Sequence, residues 1–228
     1  MTEIRHVFFD LDHTLWDFEK NSDLTFQKVF LHNNITLDLT AFLTVYKPLN
    51  LQYWKLYREE KITKSELRYG RLKKAFDAVN YTVSDELINI IAIQYIDFLP
   101  DFNHLFEGTF EILDYLKDKY ELHIITNGFD EVQNKKMISS NIYHYFDKII
   151  TSESVGVKKP NSKVFNHAIE LAKTKKEHSI MIGDNIEADV MGAIAAGLKA
   201  IHCNFDNSPK PIDDFISITS LLEIKQYL

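Results

Sequence analysis

The sequence predicts an α/β fold, a Rossmann-like parallel sheet covered by helices on both faces, with an inserted all-helical domain. Beyond Pro100, short apolar runs alternate with amphipathic segments of helical period. Runs without polar alternation are typical of parallel strands buried on both faces. A similar apolar run at residues 4–9 precedes a long stretch that has helical periodicity only. The first strand is therefore predicted to be separated from its own sheet by a helical insert.

The predicted domains follow from this break in periodicity. We expect a catalytic core of residues 1–16 and 99–228, and a helical cap of residues 17–98. Four helices joined by short connections favour a small antiparallel four-helix bundle for the cap.

Local signals place the cap helices. Ser22 is a candidate N-cap of the first helix, and Pro48 is expected to kink or split the second. Thr63-x-x-Glu66 has the pattern of a capping box, and Ser84 is expected to begin the fourth helix.

The core is predicted to continue as alternating helices and strands. The expected strands are 122–126, 148–151, 179–182, 200–203 and 216–218, and the expected helices are 106–119, 131–140, 162–172, 186–196 and 220–227.

Composition restricts the class of partner. The net charge is −7, which argues against a nucleic-acid polymer or an anionic membrane surface. No apolar run approaches the roughly 20 residues of a membrane span, and the N-terminus leads directly into a short strand. The single cysteine, Cys203, fits a reducing compartment and a buried strand position. We expect a cytoplasmic protein, a monomer or small homo-oligomer. Its substrate can still be a small anion, because local lysines can outweigh a mild overall negative charge.

Polar side chains follow the predicted strands at their carboxyl ends, which meet at one edge of an open α/β sheet. Asp10 and Asp12 follow the first strand, Thr126 ends the second, and Asp184 and Asp189 follow the fourth. A lysine, one of the adjacent pair at 158–159, follows the third. Carboxylates without Cys or His spacing suit Mg²⁺, and a lysine with a hydroxyl suits phosphate. A carboxylate can also attack phosphorus, and a second one from the same turn can carry a proton.

These segments resemble the four ordered motifs of the haloacid dehalogenase superfamily. The matching segments are Asp-Leu-Asp-His-Thr-Leu at 10–15, Thr-Asn-Gly at 126–128, Lys-Pro at 159–160 and Gly-Asp-x₄-Asp at 183–189. The resemblance extends over essentially the whole chain. It implies a Rossmann-like core with a helical cap inserted after the first motif, and it implies that the cap closes over the substrate.

The resemblance also implies a role for each residue. Asp10 would be the nucleophile and Asp12 the general acid and base. Mg²⁺ would be held by Asp10, Asp184 and the backbone carbonyl of Asp12. The phosphoryl group would be bound by Thr126, Asn127 and Lys159, the lysine that precedes the proline, and Asp189 would support Lys159 or a metal-bound water.

The second aspartate indicates the reaction, because true haloacid dehalogenases of this superfamily lack an acid/base Asp there. Residues 126–129 with Gln133, the run 152–157 and the cap residues 66–71 resemble the bacterial pyrimidine 5′-nucleotidase branch. That resemblance implies small phosphorylated metabolites as substrates, namely dUMP, dTMP and UMP. A related acylneuraminate-9-phosphatase or other sugar-phosphate phosphatase is an alternative, as is a phosphomutase. A phospho-receiver switch is disfavoured by the large insert.

Four further residues are candidates for facing the substrate: His13, Gly128, Arg68 and Arg71. Each also has a structural interpretation. His13 occupies a variable motif position and can be an ordinary loop histidine. The two arginines can belong to the solvated face of a cap helix. Asn185 is expected to cap the helix that follows it.

Overall fold

The computed structural model describes residues 3–207 and 215–228. The chain divides into two compact units. One consists of Met1–Phe18 with Asn103–Leu228, and the other of Glu19–Phe102.

The first unit contains a six-stranded sheet in the order β3-β2-β1-β4-β5-β6, and every pairing is parallel. The strands are β1 His6–Phe9, β2 Glu121–Thr126, β3 Lys148–Thr151, β4 Ser179–Gly183, β5 Lys199–Cys203 and β6 Ile216–Ile218. All four residues of β1 are buried, as a strand covered on both faces requires. The predicted fold class is confirmed.

The helices of the sheet unit are α5 Thr109–Lys117, α6 Asp130–Ser139, α7 Ser152–Val155, α8 Ser162–Leu171 and α9 Gly192–Ala196. Two predicted helices differ in type. Ile186–Met191 is a π-helical turn that leads into α9, and Leu221–Gln226 is a 3₁₀ helix. The four-residue α7 was not predicted, because it is too short to show a period.

The second unit is all-helical. Its helices are α1 Phe18–His32, α2 Leu39–Arg58, α3 Lys64–Ala78 and α4 Asp85–Phe98. The capping box of Thr63 with Glu66 and the Ser84 N-cap are confirmed. The Ser22 cap is wrong, because Ser22 lies inside α1, where its hydroxyl hydrogen bonds to Tyr95 at 2.8 Å. Pro48 does not split its helix, since α2 continues through it.

The hydrophobic core of the first unit lies between the sheet and its helices. One core cluster joins Phe8 and Ile125 of the sheet to Val164 and Phe165 of α8. Cys203 is buried, as predicted. Across the described residues, no helix combines the length and apolar character that crossing a membrane requires.

Candidate active site

The topology brings the predicted strand-end residues to one edge of the sheet. β1 lies between β2 and β4, so Asp10, Thr126 and Asp184 follow or end three adjacent parallel strands. The backbone N–H of Asp10 donates to the carbonyl of Ile182 at 2.9 Å, which extends the β1–β4 pairing to the aspartate itself. The position of Asp10 is therefore set by the sheet.

Lys159 is the buried cation of this edge. Its Nζ lies 2.6 Å from Oδ1 of Asp10 and 2.6 Å from Oδ1 of Asp189. It also donates to the carbonyl of Ile125 at 2.6 Å. The contacts with Asp10 and Ile125 are hydrogen bonds, and the contact with Asp189 is an ion pair. Lys159 is 1% exposed.

The Asn127 side chain holds the backbone of Lys159 from both sides. Its Oδ1 accepts the Lys159 N–H at 2.9 Å, and its Nδ2 donates to the Lys159 carbonyl at 3.0 Å. The second Nδ2 hydrogen of Asn127 is available for the predicted contact with phosphate. The direct effect of this side chain in the structure is to position the lysine.

Electrostatics at this edge favour an added cation. Burial raises the pKa of Asp10 well above its usual range, although Lys159 opposes the shift. Burial, together with the negative charge of Asp189, raises the pKa of Asp184 to about 8. Burial alone would lower the pKa of Lys159, but the carboxylates of Asp10 and Asp189 outweigh it and raise that pKa. Three carboxylates around one ammonium leave an excess of negative charge, which resists full ionisation without another cation.

Asp10, Asp184 and Asp189 each offer a carboxylate oxygen, and these oxygens lie within 4.8 Å of one another. A hard oxygen donor set with excess negative charge fits Mg²⁺. Asp12 is outside this group. Its predicted contribution, a backbone carbonyl, stays a prediction.

Hydrogen bonds hold the carboxylates of the two aspartates that follow β4. Asp184 accepts a hydrogen bond from the Thr14 hydroxyl at 3.3 Å. Asp189 accepts the backbone N–H of Asn185 at 3.0 Å, while the Asn185 side chain caps the following turn as predicted. Gly183 permits this arrangement, because an added Cβ would clash with the Asp189 carboxylate.

Asp12 faces a different set of groups. Its Oδ2 accepts from Nε2 of Gln133 at 3.0 Å, and its Oδ1 lies 2.7 Å from Nζ of Lys136. Lys136 is 2% exposed, and its ammonium lies 4.3 Å from the centre of the Trp16 ring. A second buried lysine therefore fixes the orientation of the Asp12 carboxylate.

Sequence reasoning missed Lys136. Gln133 and Lys136 are three residues apart on α6, so they lie on one face of the helix that follows the Thr126 segment. That spacing is a usable signal, but α6 carries two adjacent lysines, Lys135 and Lys136, and the pattern alone does not show which of them is buried.

The Thr126 hydroxyl is placed to donate. Its oxygen accepts hydrogen bonds from Nε2 of Gln133 at 2.7 Å and from the N–H of Gly128 at 3.0 Å. With both acceptor positions used, the hydroxyl proton remains for a ligand oxygen. Gly128 is needed for this contact, because an added Cβ would clash with the Gln133 amide.

The other candidates for facing the substrate, His13, Arg68 and Arg71, have contacts with protein groups or are partly buried. His13 adopts a left-handed backbone with φ of 65°, and its ring lies 4.9 Å from that of Phe18. Arg71 is inside the helical unit, where its guanidinium donates to Asn50 at 2.7 Å and lies over the Tyr95 ring. The solvated-face interpretation is therefore wrong for Arg71, because it is 2% exposed. Arg68 is half-buried.

Comparison with known proteins agrees with this geometry. A family model described as haloacid dehalogenase-like hydrolase matches residues 4–197. The pyrimidine 5′-nucleotidase YjjG of Escherichia coli is 31% identical over 228 residues, which cover 97% of this chain and 96% of that protein. A glyceraldehyde 3-phosphate phosphatase of Methanothermobacter thermautotrophicus is 34% identical over 206 residues, 88% of this chain and 86% of that protein.

A solved structure is similar over the full length. The HAD-hydrolase YfnB of Bacillus subtilis, determined bound to magnesium, superimposes with a TM-score of 0.89. Its sequence is 29% identical, and the match covers 99% of this chain and 98% of that one. The chain therefore belongs to the haloacid dehalogenase-like hydrolases.

Proposed function

We propose that this enzyme is a Mg²⁺-dependent phosphomonoesterase that acts through an aspartyl-phosphate on Asp10, with pyrimidine nucleoside 5′-monophosphates as its substrates. The observation that carries the reaction is the second aspartate. Asp12 has its own lysine and amide, and its carboxylate is outside the group of acidic residues around Asp10. A carboxylate that lies off the metal group is free to exchange a proton beside the nucleophile.

Each step has a residue to perform it. A carboxylate oxygen of Asp10 attacks phosphorus while Asp12, in its protonated form, donates to the departing ester oxygen. Asp12 then removes a proton from the water that attacks the aspartyl-phosphate, and inorganic phosphate is released. The Thr126 hydroxyl donates to a phosphoryl oxygen, and Lys159 balances the charge beside Asp10.

The metal fits the acidic group described above. Asp10 and Asp184 would hold Mg²⁺ with the backbone carbonyl of Asp12, and Asp189 would support Lys159. When bound, the ion supplies positive charge that stabilises negative oxygens in phosphoryl transfer.

The substrate class is supported by relatives. The E. coli protein named above is a pyrimidine 5′-nucleotidase and is similar over nearly the whole chain. A second candidate is a small sugar phosphate, favoured by the glyceraldehyde 3-phosphate phosphatase that shares 34% identity.

A phosphate-release screen tests both the reaction and the substrate. The protein is assayed with Mg²⁺ or with excess chelator against UMP, dUMP, dTMP, AMP, glyceraldehyde 3-phosphate and acylneuraminate 9-phosphate. We expect Mg²⁺-dependent release, with the highest kcat/KM for the three pyrimidine nucleotides. A higher kcat/KM for glyceraldehyde 3-phosphate would overturn the nucleotide assignment. An isomerised sugar phosphate without free phosphate would overturn hydrolysis in favour of a phosphomutase.

A further inference from the structure

A second cluster of ligand atoms lies at the other end of β1 from Asp10. His6 begins β1, and Glu121 and His123 belong to β2. In the parallel register His6 pairs with Glu121, and Phe8 pairs with His123. His6 and Asp10 are four residues apart on one strand, which separates them by roughly 13 Å. The cluster is thus distinct from the acidic group of the active site.

The ligand atoms of this cluster point toward one another. Nδ1 of His6 lies 3.0 Å from Nε2 of His123 and 3.8 Å from a carboxylate oxygen of Glu121. All three ligand atoms lie within 4.8 Å of one another. Bonds of about 2.0–2.2 Å to a shared ion match separations of this order. The cluster cannot be predicted from the spacing of its residues in the sequence, because His6 is far from Glu121 and His123 along the chain and the pairing of β1 with β2 brings them together.

Both imidazoles are in the form that binds metals. Burial lowers the pKa of His6, and burial together with the neighbouring His6 lowers the pKa of His123 to about 4. Neutral imidazole nitrogen is the ligating form. His123 is fully buried, while the Glu121 side chain is 61% exposed, so solvent reaches one side of the cluster.

A carboxylate lies behind His123, on the ring nitrogen that faces away from the cluster. Nδ1 of His123 lies 3.9 Å from Oδ2 of Asp147 and forms no hydrogen bond with any residue that the structure describes. Metal-bound histidines commonly donate their second N–H to a carboxylate, which fixes the tautomer. Asp147 lies on the side of that outer partner, and a shift that closes the 3.9 Å gap would complete the hydrogen bond.

We propose that His6, His123 and Glu121 form a binding site for a divalent transition-metal ion of the Zn²⁺ type. Two imidazole nitrogens and one carboxylate oxygen are a donor set that Zn²⁺ accepts, with a fourth position open to water. Binding replaces the hydrogen bond between the two imidazoles. The imidazole that donates in that bond moves its proton to the other nitrogen of its own ring, so the imidazoles release no net proton. The bound ion links β1 to β2 and stabilises the folded state.

The test uses untagged full-length protein, stripped with chelator and dialysed against excess Mg²⁺ with added Co²⁺ as a spectroscopic substitute for Zn²⁺. Bound Co²⁺ is counted by elemental analysis, its visible absorption is recorded, and Tm is measured. We expect one Co²⁺ per chain with four-coordinate absorption, and an increase in Tm. His6→Gln should lose this binding, and Glu121→Gln, at an exposed position that leaves the core intact, should weaken it. The matched control His167→Gln changes an exposed histidine on α8 and should bind like the unaltered chain.

An outer-position variant adds a graded readout. Asp147→Asn should lower Co²⁺ affinity about tenfold while leaving the three ligands in place. Equal Co²⁺ binding in the unaltered chain, His6→Gln and Glu121→Gln would overturn the proposal. Co²⁺ binding that disappears in excess Mg²⁺ would also overturn it, because the ion would then occupy the acidic group, and the imidazole pair would be a structural hydrogen bond only.

Discussion

The two aspartates that follow β1 each contact one buried lysine, but the surroundings of the two pairs differ. The ammonium of Lys159 contacts Asp10, Asp189 and a backbone carbonyl. Lys136 contacts Asp12 and lies against the face of Trp16, a neutral aromatic ring. The first pair belongs to a cluster with more negative than positive charge, whereas the second balances one carboxylate with one ammonium.

The difference shows that an ion pair alone does not define the role of its carboxylate. The role of the carboxylate depends on the net charge of its surroundings once the positive charge of the lysine is included. Around Asp10 the remaining charge is negative, which favours a metal ion. Burial, with the neighbouring carboxylates adding to it, raises the pKa of both Asp10 and Asp184. The Asp12 carboxylate is instead oriented by Lys136 and Gln133 and lies outside the acidic group. The following predictions test these different roles of Asp10 and Asp12.

The largest effect is expected for Asp10→Asn. The amide keeps the size of the side chain but cannot act as the nucleophile, so turnover should fall by about 10⁴-fold or more. Phosphate release under saturating Mg²⁺ measures this loss. Circular dichroism checks that the sheet is retained, and full activity would contradict the aspartyl-phosphate mechanism.

Asp12→Asn should reduce kcat by about 10²–10⁴-fold for a nucleotide, because the leaving group loses its proton donor. An aryl phosphate whose leaving group needs no proton should still phosphorylate Asp10. Rapid mixing should then show a burst of the aryl alcohol followed by slow turnover. Equal losses for both substrates, with no burst, would argue against the acid/base role.

Lys159→Ala should reduce activity by about 10²–10³-fold, because the charge beside the nucleophile is lost. It also leaves Asp10 and Asp189 buried without their cation, which should lower the free energy of unfolding by about 3–5 kcal/mol. Lys158→Ala is the matched control at the adjacent residue and should change kcat/KM less than threefold, within roughly 1 kcal/mol. If the control lost more activity than Lys159→Ala, the phosphate-site lysine would be reassigned.

The smallest effect is expected for Lys136→Met, which keeps an unbranched side chain against Trp16 but removes the ammonium. Asp12 should lose its fixed orientation, so kcat should fall by about 10–10²-fold with little change in KM. Lys136→Arg should restore part of the rate. In an Asp12→Asn background the same substitution should cost little, since coupled residues are not additive. An undiminished cost there would show that Lys136 acts on something other than Asp12.

The sequence predicted most of the fold because its signals are local or repetitive. The bounds of β3 and β6 were predicted to the residue. The Thr63 and Ser84 caps follow from side chains that satisfy nearby backbone groups. The effect of Pro48 was not predicted correctly. A proline removes a backbone hydrogen bond and favours a break, but tertiary packing can stabilise a helix that continues through it.

The candidate site divides in the same way. Asp10, Thr126, Lys159 and Asp184 were predicted together because they follow strand ends, and parallel strands share an edge. The Lys136 contact was not predicted, since it depends on which face of α6 turns toward Asp12. Arg71 was misinterpreted for a related reason. Its charge suggested solvent, but Asn50 and two aromatic rings stabilise the guanidinium inside the helical unit.

The central position of β1 affects how the chain folds. Its two hydrogen-bonded neighbours begin at residues 121 and 179, so β1 is made before both of them and stays unpaired until β2 has left the ribosome. Contacts between such distant residues close large loops and slow folding. Asp10 is therefore synthesised well before Lys159 and Asp189, and it can meet them only after those residues have left the ribosome. A chain that ended before residue 189 would carry the nucleophile but lack the complete site.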